Sequence, residues 1–79
     1  MARVLLFGPL RDVAGWRERE LSASSLAELR GLLGAEDPVL GEALSAPGVQ
    51  VALDQAIVRG DAVLSAAAEV AFLPPMSGG

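Results

Sequence analysis

The sequence predicts an α+β fold in which a mixed β-sheet packs against one main helix and a short second helical turn. Three observations predict it. Short apolar segments bounded by turn residues lie near both ends, one segment between them has leucines at helical spacing, and no apolar run approaches the roughly 20 residues of a membrane-spanning helix. Because 79 residues are enough for one core only, we expect a single domain whose sheet leaves its second face open.

The first two strands are predicted near the start of the chain. Residues 3–9, Arg-Val-Leu-Leu-Phe-Gly-Pro, form an apolar run that should end as a strand near Gly8. Residues 17–21 begin with the alternating charges Arg-Glu-Arg-Glu, which suit an exposed strand that pairs back on the first strand as a hairpin. Residues 10–16, which contain Gly15, would connect the two strands.

The main helix is predicted to begin after Ser25, because Glu28 three residues later completes a capping box. Leucines then recur at helical spacing, at positions 26, 29, 32 and 33, and Gly34 supplies a stop. Asp37 followed by Pro38 is typical of the cap and first residue of a second, shorter helical turn, which we expect to reach about residue 44.

The remaining strands are predicted in the second half of the chain. Residues 49–53 alternate as in a half-buried strand, and Asp54-Gln55 favour a turn into residues 56–58. Residues 59–68 have no regular pattern, and residues 69–73 form the last strand. The sheet is therefore predicted to combine two hairpins with a separate last strand.

Two apolar side chains are predicted to point away from the helix. Side chains alternate along a strand, so Phe7 shares a face with the charged Arg3, and Leu73 shares a face with Glu69. An exposed apolar pair is a candidate docking site, but a small satellite core under a loop explains it equally well from the residues alone.

The composition excludes several kinds of chemistry. The chain has no Cys and no His, so it lacks disulfides, thiolate nucleophiles, imidazole bases and the usual zinc ligands. No glycine spacing matches a dinucleotide or P-loop fingerprint, so we expect no cofactor or metal bound by this chain. Asp54 and Glu69 could pair as acid and base, but surface roles are the simpler interpretation.

The charge balance restricts the partners. A net charge of −4, with six Arg and no Lys, argues against nucleic acid and favours a protein partner with a basic face. We expect no membrane association and a cytoplasmic location, because the first ten residues lack the pattern of a secretory signal.

The chain ends in Pro74-Pro75-Met76-Ser77-Gly78-Gly79, which we interpret as a tail of residues 74–79 after a domain of residues 1–73. Nothing in these residues would anchor the tail, and six residues can reach roughly 20 Å at about 3.3 Å each. The terminal glycines lack the Cβ atoms that would block a narrow channel, which suits the delivery of a carboxylate. From the residues alone, an inert chain end is the simpler interpretation.

The end of the chain closely resembles that of MoaD-type small subunits of molybdopterin synthase, in the MoaD/ThiS family of ubiquitin-like sulfur carriers. Residues 70–79, Val-Ala-Phe-Leu-Pro-Pro-Met-Ser-Gly-Gly, carry most of the likeness. Residues 4–7 followed by Leu10-Arg11, and residues 51–55, are also similar to the family pattern. The resemblance covers nearly the whole chain and implies a β-grasp, ubiquitin-like fold.

The resemblance also implies a sulfur-transfer cycle. An E1-like partner would use ATP to adenylate the Gly79 carboxylate, which is ionised at pH 7 with a reference pKa of about 3.5 and is a poor electrophile until activated. A sulfur donor protein would then convert it to a thiocarboxylate. The segment formed by Pro75, Met76, Ser77 and Gly78 would insert into the large subunit of a heterotetrameric synthase. Gly79 at its end would then supply sulfur for the dithiolene of molybdopterin.

By position, the family's apolar docking residues correspond to Phe7, Ile57 and Leu73. Two features depart from the family pattern: Ala-Ala-Ala-Glu at residues 66–69 replaces an Asp-Gly-Asp-Glu type of turn, and Asp54 stands where Asn is more usual. Three alanines lack the backbone freedom of Gly and could form a helical turn.

Other functions stay open from the sequence. A carrier for thiamine synthesis or transfer-RNA thiolation would use the same Gly79 terminus with another acceptor. A ubiquitin-like protein modifier would join Gly79 to lysines of target proteins, although the absence of Lys prevents branched chains of this protein with itself. A plain interaction domain would have an inert tail.

Overall fold

The structure, a computed structural model, describes residues 1–75 of the chain. In this range the elements are β1 Ala2–Leu6, α1 Pro9–Ala14, β2 Glu18–Leu21, α2 Leu26–Glu36, α3 Pro38–Leu44, β3 Gln50–Leu53, β4 Ala56–Val58 and β5 Glu69–Leu73. The strands form one sheet in the order β2-β1-β5-β3-β4. Only β1 and β5 are parallel among these pairs, so the predicted mixed sheet with two hairpins is confirmed.

Helix α2 begins at the predicted capping box. The Glu28 backbone N–H donates to Ser25 Oγ at 3.1 Å, and Glu28 Oε1 accepts from the Ser24 backbone N–H at 2.8 Å. Asp61 Oδ1 accepts from the Ala27 N–H at 2.8 Å and satisfies another free donor of the first turn. The first two bonds cap α2 locally, and the third joins its first turn to the loop before β5.

Gly34 does not end α2, contrary to the prediction. The helix continues to Glu36, and the Asp37 N–H donates to the Leu33 carbonyl at 2.9 Å. Gly34 lies instead where α2 approaches α3, because a Cβ atom placed on Gly41 would be 2.7 Å from Gly34 Cα. The two glycines therefore permit close packing of the two helices.

Helix α3 confirms the prediction for the second helical turn. The Leu40 N–H donates to Asp37 Oδ1 at 3.1 Å, and Pro38 occupies the start of the helix, where no N–H is needed. The helix ends at Leu44 as predicted.

Helix α1 was not predicted by the sequence analysis, which assigned residues 10–16 to a connection. The helix begins at Pro9, and its buried residue is Leu10. Gly15 ends the helix with a φ of 81°, and its N–H donates to the Arg11 carbonyl at 2.8 Å. A proline at the start and a glycine after the end are recognised helix signals. The segment has only six residues, so its apolar periodicity is too short to be detected.

The core lies between one face of the sheet and helices α2 and α3. Phe72 and Val70 of β5 are fully buried at the centre of this face. The strands otherwise contribute Ala2, Val4, Leu6 and Val51, and the three helices contribute Leu10, Leu26, Leu29, Leu33, Leu40 and Leu44. The guanidinium group of Arg30 lies 5.3 Å from the centre of the Phe72 ring and donates to the Leu44 carbonyl at 3.2 Å. Arg30 thus covers one side of the core, with its guanidinium group held by the Phe72 ring and the Leu44 carbonyl.

The predicted turn at Asp54-Gln55 is confirmed and is tied to β5. Both residues have positive φ, 49° and 71°, as a two-residue hairpin turn of type I′ requires. The Asp54 N–H donates to the Glu69 carbonyl at 2.9 Å, and Asp54 Oδ1 accepts from the Glu69 N–H at 3.0 Å. Asp54 therefore has a structural role: it joins the β3–β4 hairpin to the start of β5.

The loop of residues 59–68 lacks regular helix or strand, as predicted, apart from an isolated bridge between Ser25 and Val63. Its three alanines do not form a helical turn. The Ala68 N–H donates to the Ser65 carbonyl at 3.1 Å across a single turn, and no residue of this turn has positive φ. Alanine can adopt such a turn without strain, so the departure from the family pattern has no steric cost.

Substitution of Gly41 should reveal the close approach of α2 and α3. We expect Gly41→Ala to lower the free energy of unfolding by roughly 1–3 kcal/mol, because its Cβ would meet backbone rather than a movable side chain. The matched control is Gly31→Ala in α2, where no atom lies within 4 Å of the added Cβ. Because Ala favours a helix more than Gly does, this variant should raise the free energy of unfolding by about 0.5–1 kcal/mol. Urea unfolding measures both. Equal stability of the two variants would contradict the packing described.

Substitution of Asp54 tests its bond to β5. Asp54→Ala should lower the free energy of unfolding by about 1–2 kcal/mol, because it removes the acceptor for the Glu69 N–H and places Ala in the left-handed region. Asp54→Asn keeps an acceptor oxygen and tolerates that region, so we expect a change within about 0.5 kcal/mol. If thermal unfolding finds the two variants equally destabilised, the carboxyl oxygen does not have this role.

Candidate functional site

The candidate site begins where the central strand β5 ends. Phe72 is fully buried and fixes the strand in the core, and Leu73 pairs with Gln50 at its last position. Pro74 and Pro75 follow, and neither can donate a ladder hydrogen bond, so the sheet stops there. The chain therefore leaves the sheet at the end of its central strand.

The two prolines are in contact with the domain, unlike the unanchored segment that the sequence analysis predicts. A Cβ atom placed on Gly8 would lie 3.1 Å from Cγ of Pro74, and one placed on Gly48 would lie 2.9 Å from Cβ of Pro75. Pro74 is half-buried and Pro75 is exposed. These contacts leave no signal in the sequence, because Gly8 and Gly48 are far from the tail in the chain and only the strand register brings them to it.

The remaining predicted tail residues, Met76, Ser77, Gly78 and Gly79, lie outside the described residues. Their predicted roles in insertion and acyl transfer stay predictions, as does the boundary between domain and tail.

The residues predicted for docking, Phe7, Ile57 and Leu73, lie on or beside the open face of the sheet. Ile57 pairs with Ala52, and Ala52 pairs with Ala71, which is two residues from Leu73 along β5. Paired residues share a face, and this face is opposite to the one that contains Phe72. Their role in docking stays a prediction.

The exposure of these three side chains differs. Phe7 is 42% exposed and Ile57 is 49% exposed, whereas Leu73 is half-buried. Phe7 follows β1, and its position after the Leu6–Phe72 pair brings it beside Leu73. The prediction that Phe7 points outward is therefore confirmed, and Leu73 is only partly accessible.

The open face is mainly apolar at its centre and charged at one margin. Leu5, Ala71, Ala52 and Ile57 form a continuous row across β1, β5, β3 and β4 in the register of the sheet. At the margin next to β2, Arg3 Nε lies 3.0 Å from a carboxylate oxygen of Glu18 in an exposed ion pair. This arrangement can bind an apolar surface but offers no nucleophile.

The titratable side chains of residues 1–75 are all at least partly exposed. No group of three or more Asp or Glu residues in this range could hold a metal ion, and no polar or charged residue there is buried. The hydrogen bond between Arg19 and Glu36 lowers the pKa of the Glu36 carboxyl and raises the pKa of Arg19. This ion pair joins β2 to the end of α2, and Arg19 also lies 5.1 Å from the centre of the Trp16 ring, so its role is structural.

Within the same 75 residues, no helix has the length and apolar character needed to cross a membrane. The candidate site consists of the apolar open face and the segment that begins with Pro74-Pro75 at the end of β5.

Comparison with solved structures identifies the fold. Small archaeal modifier protein 1 from Methanosarcina acetivorans is similar at a TM-score of 0.87 and 23% identity, over 99% of this chain and 95% of that one. The protein of the same name from Haloferax volcanii is similar at a TM-score of 0.78 and 22% identity, over 99% and 98%. A structure assigned to molybdopterin converting factor, subunit 1, from Pyrococcus furiosus is similar at a TM-score of 0.80 and 21% identity, over 95% and 97%.

These likenesses confirm the β-grasp, ubiquitin-like fold that the resemblance implies. A search of curated proteins gave no significant match. The model of the ThiS family matches residues 4–79, which include the whole candidate site. The chain therefore belongs to the ThiS family of ubiquitin-like sulfur carriers.

Proposed function

We propose that the chain is a sulfur carrier protein that acts as the small subunit of molybdopterin synthase. The observation that carries the proposal is the ending Pro-Pro-Met-Ser-Gly-Gly directly after the central strand β5, within the residues that the family model matches. The Gly79 carboxylate would be adenylated by a partner enzyme, converted to a thiocarboxylate, and used to donate sulfur to the dithiolene of molybdopterin.

The chemistry explains why the carrier needs partners. A carboxylate oxygen of Gly79 attacks the α-phosphorus of ATP and releases pyrophosphate, which makes the acyl carbon electrophilic. A donor protein then supplies sulfur at the oxidation level of hydrosulfide, which attacks the acyl carbon, forms the C–S bond of the thiocarboxylate and breaks the C–O bond to release AMP. In this proposal ATP is bound by the E1-like activating partner, this chain binds no cofactor, and the active-site side chains lie on the large subunit.

The residues of this chain would bind and deliver rather than catalyse. The open face, with Phe7, Ile57 and Leu73, would dock the activating enzyme and the large subunit in turn. Pro75, Met76, Ser77 and Gly78 would carry Gly79 into each active site, where small residues at the end pass through a narrow channel. The large subunit would bind this chain in a heterotetramer, and neither nucleic acid nor a membrane would take part. The location would be the cytoplasm, where ATP is available.

The Pyrococcus furiosus structure, by its name, supports the molybdopterin pathway. The two structures named small archaeal modifier protein 1 favour a second candidate function, in which Gly79 is joined to lysines of target proteins. With no Lys of its own, the chain would then modify its targets singly rather than as branched chains. A carrier for thiamine synthesis or transfer-RNA thiolation would share the first steps and differ in the acceptor.

Intact mass spectrometry tests the carrier role. Incubation with ATP, a matching activating enzyme and a sulfur donor should raise the mass by about 16 Da, because one terminal oxygen is replaced by sulfur. A variant that lacks Gly79 is the control and should show no gain. Addition of the large subunit and its pterin precursor should then reverse the gain.

Two other outcomes separate the alternatives. A gain that only a thiamine or transfer-RNA acceptor reverses would replace the molybdopterin assignment. Lysine-linked adducts in cell extract, without any gain of sulfur, would favour the modifier. The absence of both, with an activating enzyme competent on another carrier, would leave an interaction domain with an inert tail.

Truncation of the docking residues tests the open face. Phe7→Ala and Leu73→Ala should each weaken binding to the activating enzyme about tenfold, the loss typical of an apolar residue at the centre of an interface. The matched control is Val63→Ala, because Val63 is 84% exposed on the loop between β4 and β5 and lies outside the open face. Calorimetric titration gives the affinity and urea unfolding gives the stability. A loss of stability as large as the loss of binding free energy would assign these residues to the core instead.

A further inference from the structure

We propose that Gly8 and Gly48 are positioning residues, which hold Pro74 and Pro75 between them and set the direction in which the chain leaves the domain. This inference rests on the proposed function, since the direction of the tail matters only if Gly79 must reach a partner's active site. It concerns two residues that neither dock a partner nor take part in the chemistry.

The sheet topology places the two glycines on opposite sides of the tail. Strand β5 lies between β1 and β3, and its last pairs are Leu6 with Phe72 on one side and Gln50 with Leu73 on the other. Continuing the parallel register by two residues brings Gly8 beside Pro74. Continuing the antiparallel register by two residues brings Gly48 beside Pro75.

Each glycine belongs to a turn that replaces the ladder at this edge. The Arg11 N–H donates to the Gly8 carbonyl at 3.1 Å as α1 begins, and the Val49 N–H donates to the Ala46 carbonyl at 3.2 Å across Pro47-Gly48. Gly8 has φ 57 and Gly48 has φ 88. A proline followed by a glycine of positive φ is the sequence of a type II turn, so backbone geometry alone accounts for glycine at position 48.

The contacts with the prolines give these glycines a second requirement. A Cβ on Gly48 would lie 2.9 Å from Cβ of Pro75 and 3.5 Å from its Cα, so Pro75 would have to move. A Cβ on Gly8 would lie 3.1 Å from Cγ of Pro74, which a change of ring pucker could partly relieve. Substitution of Gly48 should therefore redirect the chain more strongly than substitution of Gly8.

A small change at Pro75 is magnified toward the end of the chain. The four residues after Pro75 can span at most about 13 Å, so the direction of the chain at Pro75 sets the region that Gly79 can reach. Misplacement of a reacting group by about 1 Å can lower a rate by as much as a hundredfold. The open face is untouched by such a change, so docking and transfer should respond differently.

The chain supplies matched controls for this test. Gly15 and Gly60 have φ 81 and 77, and no atom lies within 4 Å of a Cβ placed on either of them. Gly15→Ala and Gly60→Ala therefore place Ala at a positive φ close to that of Gly48 without touching the prolines. Gly8, with φ 57 and ψ −136, lies in a region that is essentially restricted to glycine, so Gly8→Ala carries an additional backbone strain. Any effect on stability of the positive φ alone should be common to Gly48→Ala, Gly15→Ala and Gly60→Ala.

The direction of the tail can be measured without a partner. The chain has no Cys, so Ser77→Cys accepts a single nitroxide label, and paramagnetic broadening of backbone amides reports where residue 77 spends its time. We expect Gly48→Ala to change the set of broadened amides at the edge of the sheet, Gly8→Ala to change it less, and Gly15→Ala and Gly60→Ala to leave it as in the parent. If Gly48→Ala fails to fold, Gly48→Asn, which carries a Cβ and tolerates a positive φ, decides against Gly60→Asn.

The consequence for transfer is measured with the unlabelled chain as substrate of the activating enzyme, by exchange of pyrophosphate into ATP. Gly48→Ala should lower kcat about tenfold while KM for the carrier stays within about twofold, and Gly15→Ala should change neither. In the background of Pro75→Gly, which has no Cβ to clash, Gly48→Ala should cause no further loss.

The positioning role is overturned if Gly48→Ala has the same broadening pattern or the same kcat as Gly15→Ala and Gly60→Ala. If the broadening changes as expected but the parent chain is not adenylated, the proposed function fails. Gly8 and Gly48 would then have no role in transfer. The contact that redirects the tail would then be established independently.

Discussion

The central position of β5 is the constraint on which the rest of this structure depends. Phe72 and Val70 of this strand are fully buried, and its neighbours β1 and β3 satisfy its backbone on both sides. Because β1 is parallel to β5, a crossover must separate them in sequence, and α2, α3 and the second hairpin occupy it. The same buried strand that organises the core therefore fixes the point from which the last residues leave.

Much of this architecture could be predicted from local sequence signals. The caps at Ser25 and Asp37 and the turn at Asp54-Gln55 depend on hydrogen bonds or backbone angles within a few residues, and all three are confirmed. The end of α2 was placed wrongly at Gly34, because that glycine is required by the approach of α3 and not by a helix end. Tertiary contact decided its use, and local propensity could not show it.

The candidate site was predictable only in part. Alternation placed Phe7 outward, and the resemblance added Ile57 to the same face, but the contacts of Pro74 and Pro75 with Gly8 and Gly48 depend on pairing between distant strands. The described domain combines an apolar open face with a complete absence of Cys and His side chains. Under the proposed function, the domain would bind partners and direct the chain, and the reactive group would be the carboxylate of Gly79.

The most direct test of this account is the fate of a carboxylate oxygen of Gly79. The terminal carboxylate would be labelled with a heavy oxygen isotope, and the AMP released during sulfur loading would be analysed by mass spectrometry. The account predicts that each AMP carries one labelled oxygen, because sulfur displaces AMP by breaking the bond between the acyl carbon and the oxygen that came from the carboxylate. Sulfur incorporation with unlabelled AMP would contradict activation at Gly79.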